Sequence, residues 1–500
     1  MFVERQEADG EVSPLMQEVL GIRRRIMEDA QDIARVSGVA ACDGMADGER
    51  ARLQNLHHYL ALRRHDIRPL QRQLMSRGLS SLGRLESRVL PTLDAVLSAL
   101  AALDGSPAPF PLPSEQDFFR GETMLAGATE LLLGPGRPHR RGRIMVTLPG
   151  DASDRPDFIL DLARRGMDIA RINCAHDDKT TWEDMARHVR TAGETLGRRL
   201  TILMDIAGPK IRTGNVVAPP SAKAQVGDLI RLCTGILPRV DDVARFSAAV
   251  SVPEIVTRLK TGDRIRYDDG KLEGEVEDLS PEEALVRVTR TKTNGTKLRP
   301  EKGLNLPDTA LGLSPLTTKD YADLAVVIEH ADMLGYSFVS RPDDIDTLED
   351  ILAALPPRRR PLGLVAKIEQ PEALANLPAL IAVALRHHRP FGVMIARGDL
   401  AAEIGFERVA EMQEEILWVC EAASVPVIWA TQVLEDLVKS GIPTRGEMTD
   451  AAMAARAECV MLNKGAAVAE AVDVLDRLMS RMDEHITKKT PTLRALKSWT

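Results

Sequence analysis

Apolar positions recur at helical spacing through the first quarter of the chain. One run covers about 14–37, where Leu15, Val19, Ile22, Ile26 and Ile33 fall three, four or seven apart. A second spans about 48–76, a third about 82–102 and a fourth about 114–133. Pro91 lies inside the third and is expected to kink it. Ser114 and Glu115 read as cap residues of the fourth. The pattern predicts a small helical module over residues 1–138, closed by a Gly-, Pro- and Arg-rich linker, GPGRPHRRG, at 134–142.

After the linker the rhythm changes. Short apolar runs alternate with helical ones: RIMVTL, a helix with DFILDLARRG, MDIARINC, a helix near 180–197, then LTILMDIAG. Such alternation predicts parallel βαβ units. It stops at Gly214, and 215–306 is strand-like throughout, with Asp-Asp-Gly at 268–270 as a hairpin turn. A helix near 317–330 restarts the βα pattern, and five more strand candidates follow: DMLGYSFV, PLGLVAKIE, FGVMIARGD, VPVIWATQ and CVMLNK. Eight βα units in about 250 residues predict a (β/α)8 barrel. The expected fold class is α/β, a TIM barrel with an all-β lid inserted after the third strand and a helical module in front. The expected boundaries are 139–214 for the first part of the barrel, 215–306 for a β-barrel lid, 307–487 for the second part and 488–500 for a frayed tail.

Composition narrows the class of function. Hydrophobic residues make up 44% and aromatics 3%, so the core must be aliphatic. The net charge of −8 argues against a nucleic-acid surface. No run of about 18 apolar residues predicts a membrane span, and the N-terminus lacks the pattern of a signal peptide. The five cysteines are scattered without a CxxC pair, which disfavours a disulfide framework or zinc site and fits reduced thiols in the cytoplasm.

Barrel active sites lie at the C-terminal ends of the strands, and the polar residues fall there. Arg171 and Asn173 end the second strand, Asp205 the third, and Ser337 and Arg341 follow the fourth. Lys367 and Glu369, Arg397 and Asp399, Thr431 and Gln432, and Asn463 and Lys464 complete the set. Lys367 and Glu369, two apart on a strand, face the same side. Glu369 and Asp399 offer two hard oxygen donors on adjacent strands, a set suited to Mg2+ or Mn2+. Lys367 adds a fixed positive charge beside them, and Arg171 and Arg212 suit phosphate oxygens. The turn Gly398-Asp399-Leu400 is expected to open a helix with free N–H groups for an anion. This is equipment for phosphoryl transfer; the bland alternative is a structural ion-pair network. His57, His58 and His65 read as one polar helix face, Arg358-Arg359-Arg360 as a solvated loop, and Cys174 as packing.

Eight motifs in register resemble the pyruvate kinase family over roughly 143–485: ARINCAH (170–176), MDIAGPKIRTG (204–214), YDDGKLEGEV (267–276), KGLNLP (302–307), AKIEQPEAL (366–374), MIARGDLAAEIG (394–405), WATQVLEDL (429–437) and PTRGEMTDAA (443–452). The resemblance implies transfer of phosphate from phosphoenolpyruvate to ADP, giving pyruvate and ATP. It implies that Lys367 stabilises the transferring group and the enolate, that Glu369 and Asp399 hold Mg2+ or Mn2+, and that Thr431, with water, protonates the enolate. Arg171, Asn173 and His176 match the phosphate and nucleotide side, as do Arg212 and Lys302, and Gly398 lies in the substrate-binding turn. Asp269 matches a lid residue that meets the metal–nucleotide complex on closure.

Departures from the family pattern carry expectations too. Of the residues that hold K+ in many members, Asn173 and Asp205 are present, but Ala175 and Ile206 replace two hydroxyls. Lys210 stands where K+-independent members carry lysine, which predicts activity without K+. Asn463-Lys464-Gly465-Ala466 replaces Ser-Gly-Glu-Thr after the last strand, and Asp177 replaces a glycine. Only a helix near 468–484 and a short tail stand where the family has a C-terminal regulatory domain. Expected partners are phosphoenolpyruvate, ADP, ATP and pyruvate, with a homo-oligomer allowed and no nucleic acid or membrane. The competing readings are a catalytically impaired relative serving in binding or regulation, and a metal-dependent enolate-forming lyase.

Overall fold

Eight runs rich in Ile, Val, Leu and Met close into one parallel barrel in the computed structural model, which describes residues 13–491 apart from 37–44, 236, 269, 310–311, 356–357, 359 and 489. The strands are β1 (Arg143–Thr147), β2 (Ile169–Asn173), β3 (Thr201–Asp205), β4 (Met333–Tyr336), β5 (Gly363–Ile368), β6 (Phe391–Ala396), β7 (Val427–Ala430) and β8 (Cys459–Leu462). Each pairs with its sequence neighbours, and β1 pairs with β8 to close the ring. Every strand sends at least one side chain, Met145, Met333 and Met394 among them, into a cluster separate from the outer core. This follows from side-chain alternation, which points every second residue inward. The amphipathic helices between the strands cover the outside.

The N-terminal module is built on helices α1 (Pro14–Val36), α2 (Asp47–Leu62), α3 (Arg68–Met75), α4 (Val89–Asp104), α5 (Glu115–Phe118) and α6 (Arg120–Leu133). It is joined to the barrel by a shared hydrophobic core. At the end of α6, Leu132 and Leu133 enter the inner cluster and plug the base of the barrel. A Cβ on Gly363 or Gly392 would meet Leu132 at 2.5 or 2.4 Å, so the plug needs glycine at the start of β5 and at the second residue of β6. From α2, Arg52 donates to the carbonyls of Ala423 and Ser424 at 3.0 and 2.9 Å, and Asn55 to that of Ala422 at 2.8 Å. These side chains satisfy acceptors that the helix Phe406–Ala422 leaves open at its C-terminus.

Several local expectations are corrected. The run 48–76 is two helices, because Arg63–Ile67 turns and Pro69 opens α3 in its first turn. Pro91 does not kink a helix: α4 begins at Val89, so the proline sits where no intrahelical N–H is needed. The run 114–133 breaks at Phe119, and Ser114 accepts from the Asp117 amide as a cap. His57 is buried rather than on a polar face, because α2 is packed on two sides. Burial also pushes His58 down to about 4. His65 instead meets Asp29 at 2.9 Å. Arg358 is half-buried, donating to the Ala331 carbonyl at 2.5 Å. The linker is pinned: Arg140 is buried between Asp168 and Asp476, at 2.8 and 2.7 Å. The tail is ordered at its start, where Ile486–Thr487 pairs with Thr490–Pro491.

The inserted lid is one seven-stranded sheet, in the spatial order 304–305, 264–267, 272–279, 283–291, 229–233, 246–250, 213–217. All its pairs are antiparallel except 229–233 with 246–250. Its two edges meet in a single bridge between Arg212 and Gly303. Flanking bonds, Leu304 N–H to the Ile211 carbonyl at 2.9 Å and Thr213 N–H to the Lys302 carbonyl at 2.8 Å, curl the sheet around its own core. Asp268 and Gly270 lie between the paired strands 264–267 and 272–279, and both have positive φ. No helix among the described residues is long and apolar enough to cross a membrane.

Candidate active site

Five neighbouring strand ends build one buried charge network. Lys367, the fifth residue of β5, and Glu369, just beyond it, project the same way, and Lys367 Nζ lies 2.8 Å from Glu369 Oε1. The ammonium also donates to Ser337 Oγ at 2.7 Å and sits 3.6 Å from Asp205 Oδ2. Ser337 in turn donates its own hydroxyl hydrogen bond to the Ile206 carbonyl at 2.8 Å. Arg171 grips Asp205 Oδ2 through Nε and Nη2 at 2.8 and 2.5 Å, and its Nη1 reaches Thr147 Oγ1 at 3.0 Å. Asp205 is 1% and Glu369 2% exposed, so these charges are held by one another rather than by water.

The electrostatics follow from that packing. Burial opposes the charge on Lys367, but Glu369 and Asp205 hold its ammonium above the ordinary lysine value. Burial likewise opposes the charge on Asp205, and Arg171 and Lys367 overcome it, holding that carboxyl below the usual range. Glu369 is pushed up by burial, with Lys367 working against the rise and Asp399 adding to it. Asp399, in the first turn of the helix Arg397–Ile404, is kept low against burial by Lys210, whose Nζ lies 2.6 Å from Oδ1.

Glu369 and Asp399 thus sit close enough to act on each other, each balanced by a lysine. A divalent cation between them would add positive charge where the two carboxylates meet. No cluster of three or more acidic, histidine or cysteine ligands exists among the described residues. Two protein carboxylates with further oxygens from substrate and water are the set that Mg2+ takes. The donors fit such an ion.

At the ends of β1, β2 and β8, a cavity of about 270 Å³ is lined by Arg171, Asn173, His176 and Lys464 among others. His176 is held below the ordinary histidine value by partial burial and by the positive charges of Lys464 and Arg212. Asn173 Oδ1 accepts from the Ala175 amide at 3.1 Å. Ile206, in place of a hydroxyl residue, is fully buried. Lys210 lies on Asp399, while the cations beside Asp205 are Arg171 and Lys367. Arg212 and Lys302 stand at the seam where the lid edges meet: Arg212 donates to the Glu301 carbonyl at 3.2 Å, and Lys302 faces Asp268 at 3.4 Å. Asp269 lies outside the described residues.

Beyond β7, Thr431 and Gln432 have φ of +61° and +58°. Thr431 Oγ1 accepts from the Gly398 amide at 2.7 Å. The turn Gly398-Asp399-Leu400 does open a helix, which begins one residue earlier, at Arg397, and one of its N–H groups, that of Gly398, is committed to Thr431. Arg341 does not join the site; it is exposed and pairs with Glu372 at 2.7 Å. Ser337 was visible as a polar strand end, but nothing local marked it as the partner of Lys367. Asp450 and Glu403 went unassigned although both lie inside quoted motifs.

Residues 139–471 match the family described as pyruvate kinase, barrel domain. A pyruvate kinase of Methylorubrum extorquens is 34% identical over 351 residues, covering 69% of this chain and 69% of that protein. One of Mycobacterium tuberculosis is 31% identical over 363 residues, covering 70% and 72%. A solved pyruvate kinase of Cryptosporidium parvum superposes with a TM-score of 0.61 at 25% identity, covering 71% of this chain and 73% of that one.

Proposed function

The chain belongs to the pyruvate kinase family, and on that premise we propose that its barrel mouth moves the phosphoryl group of phosphoenolpyruvate to ADP through the residues described above. The observation that carries this is the lysine buried among acids. Lys367 stays charged at the centre of the mouth, beside two carboxylates that act on each other. A preorganised cation in a water-poor site is what a migrating phosphoryl group and a developing enolate require.

Lys367 faces the bridging and phosphoryl oxygens and stabilises negative charge as the P–O bond lengthens. Glu369 and Asp399 would hold the divalent metal, Mg2+ in this reading, which when bound would supply positive charge against the acidic oxygens of the substrate. Arg171, fixed by Asp205, orients phosphate oxygens. Asn173, His176 and the cavity they line receive the nucleotide phosphates, with Arg212, Lys302 and Asp269 contributing from the lid. Closure of the lid excludes water, which would otherwise hydrolyse the donor. Thr431 delivers a proton, with water, to the enolate.

Lys210 makes a monovalent cation unnecessary in this reading. Its ammonium neutralises Asp399 directly, and the Ile206 side chain offers no oxygen to K+. Purified protein with phosphoenolpyruvate, ADP and Mg2+ is expected to form ATP and pyruvate in equal amounts, at the same rate with K+ or with tetramethylammonium. Absence of ATP formation refutes the activity; a strict K+ requirement refutes the role of Lys210 alone.

A further inference from the structure

Thr431 is held in a conformation that its residue type disfavours. A β-branched side chain at φ +61° is a steric outlier, and Gln432 and Leu434 share the region at +58° and +50°. Such strain persists only where the surroundings over-determine it. Here one side chain does so. Arg397 donates from Nε to the Ala430 carbonyl at 3.1 Å and from Nη2 to the Thr431 carbonyl at 2.7 Å. The guanidinium is then locked from the far side by both oxygens of Asp450, at 2.5 and 2.9 Å. It also lies over the Trp429 ring, 5.0 Å from its centre. The residue after Arg397 donates its amide to Thr431 Oγ1, so one dipeptide fixes both the backbone and the hydroxyl.

We infer that Arg397 and Asp450 are positioning residues for the proton-transfer half of the reaction. They act through Thr431 and touch no substrate. With its amide bond made on one lone pair, the hydroxyl keeps its proton and a second lone pair for the mouth. When the P–O bond of phosphoenolpyruvate breaks, an enolate remains. Its C3 takes a proton, the C2–C3 double bond becomes single, and C2–O becomes the carbonyl of pyruvate. That step needs a donor placed over C3, whereas phosphoryl transfer is served by Lys367 and the metal-binding carboxylates. Loosening the clamp should therefore slow the proton step while leaving substrate binding intact.

The inference rests on the role proposed for Thr431. The test is exchange of pyruvate methyl protons in D2O with Mg2+ and ATP, measured beside steady-state turnover of phosphoenolpyruvate and ADP. For Arg397→Lys and Asp450→Asn, turnover and exchange should both fall by about 10- to 100-fold, the scale of a misplaced reacting group. The KM for phosphoenolpyruvate should stay within about threefold, with Asp450→Asn the milder change. Arg397→Met should be worse than either; if it does not fold, the two conservative variants decide. Wild-type exchange in folded Asp450→Asn and Arg397→Lys, or a loss confined to KM, overturns the inference. An inactive wild-type protein would instead sink the kinase reading itself.

Discussion

Replacing Lys367 by Met keeps the length of the side chain and removes its charge. The ammonium lies 2.8 Å from Glu369 and 3.6 Å from Asp205, so a phosphoryl or enolate oxygen entering the same space would meet it at a similar range. A unit charge pair about 4 Å apart at an effective dielectric near 20 is worth about 4 kcal/mol. Charge that exists only in the transition state collects most of that, and about 1.4 kcal/mol corresponds to tenfold in rate. Turnover should fall by about three powers of ten. Metal binding should survive, because Glu369 and Asp399 are intact and Glu369 has lost a competing cation. Arg171 still neutralises Asp205, which limits the damage to folding. A lactate dehydrogenase-coupled assay measures turnover, and Mn2+ binding followed by electron paramagnetic resonance measures the metal. Turnover within tenfold of wild type would refute the central role given to Lys367; loss of Mn2+ binding would assign the defect to the carboxylates instead.

Glu403 accepts from Asn305 of the lid at 2.8 Å and is pushed up to about 7 by burial, with Asp399 adding to the rise. A folded pKa above the unfolded one favours the fold at low pH, and the benefit is lost as pH rises from about 4.5 through about 7. Urea unfolding should show wild type losing stability relative to Glu403→Gln across that window, on the order of 3 kcal/mol; a pH-independent difference contradicts this. Gly335→Ala would bring a Cβ to 1.9 Å from Asp205 Oδ1, an atom of a carboxylate held by Arg171. It should cost about 1–3 kcal/mol by thermal melt and weaken nucleotide saturation, while unchanged values would mean that the carboxylate swings freely. Leu132→Ala empties the plug at the barrel base and should cost about 2–5 kcal/mol in chemical denaturation; a cost near zero would show that α6 is not seated there.

The order of elements was written locally, and so was much of the mouth. Strand runs, their alternation with amphipathic helices and the all-β interruption depend on residues a few positions apart, where backbone period and side-chain burial agree. Lys367 and Glu369 could be placed on one face because strands alternate every residue. Local pattern could not reveal which distant groups meet once the barrel closes. Lys210 reaches Asp399 across 189 positions and Arg171 reaches Asp205 across 34. Asp450 locks Arg397 from another helix. Thr431 adopts a left-handed backbone that its own residue type opposes, because tertiary hydrogen bonds override the local preference. His57, read from its helix as surface, is buried because that helix has neighbours on two sides. Periodicity determined the parts and their order; closure of the barrel decided the charge pairings, because a buried charge must find its partner wherever in the chain that partner lies.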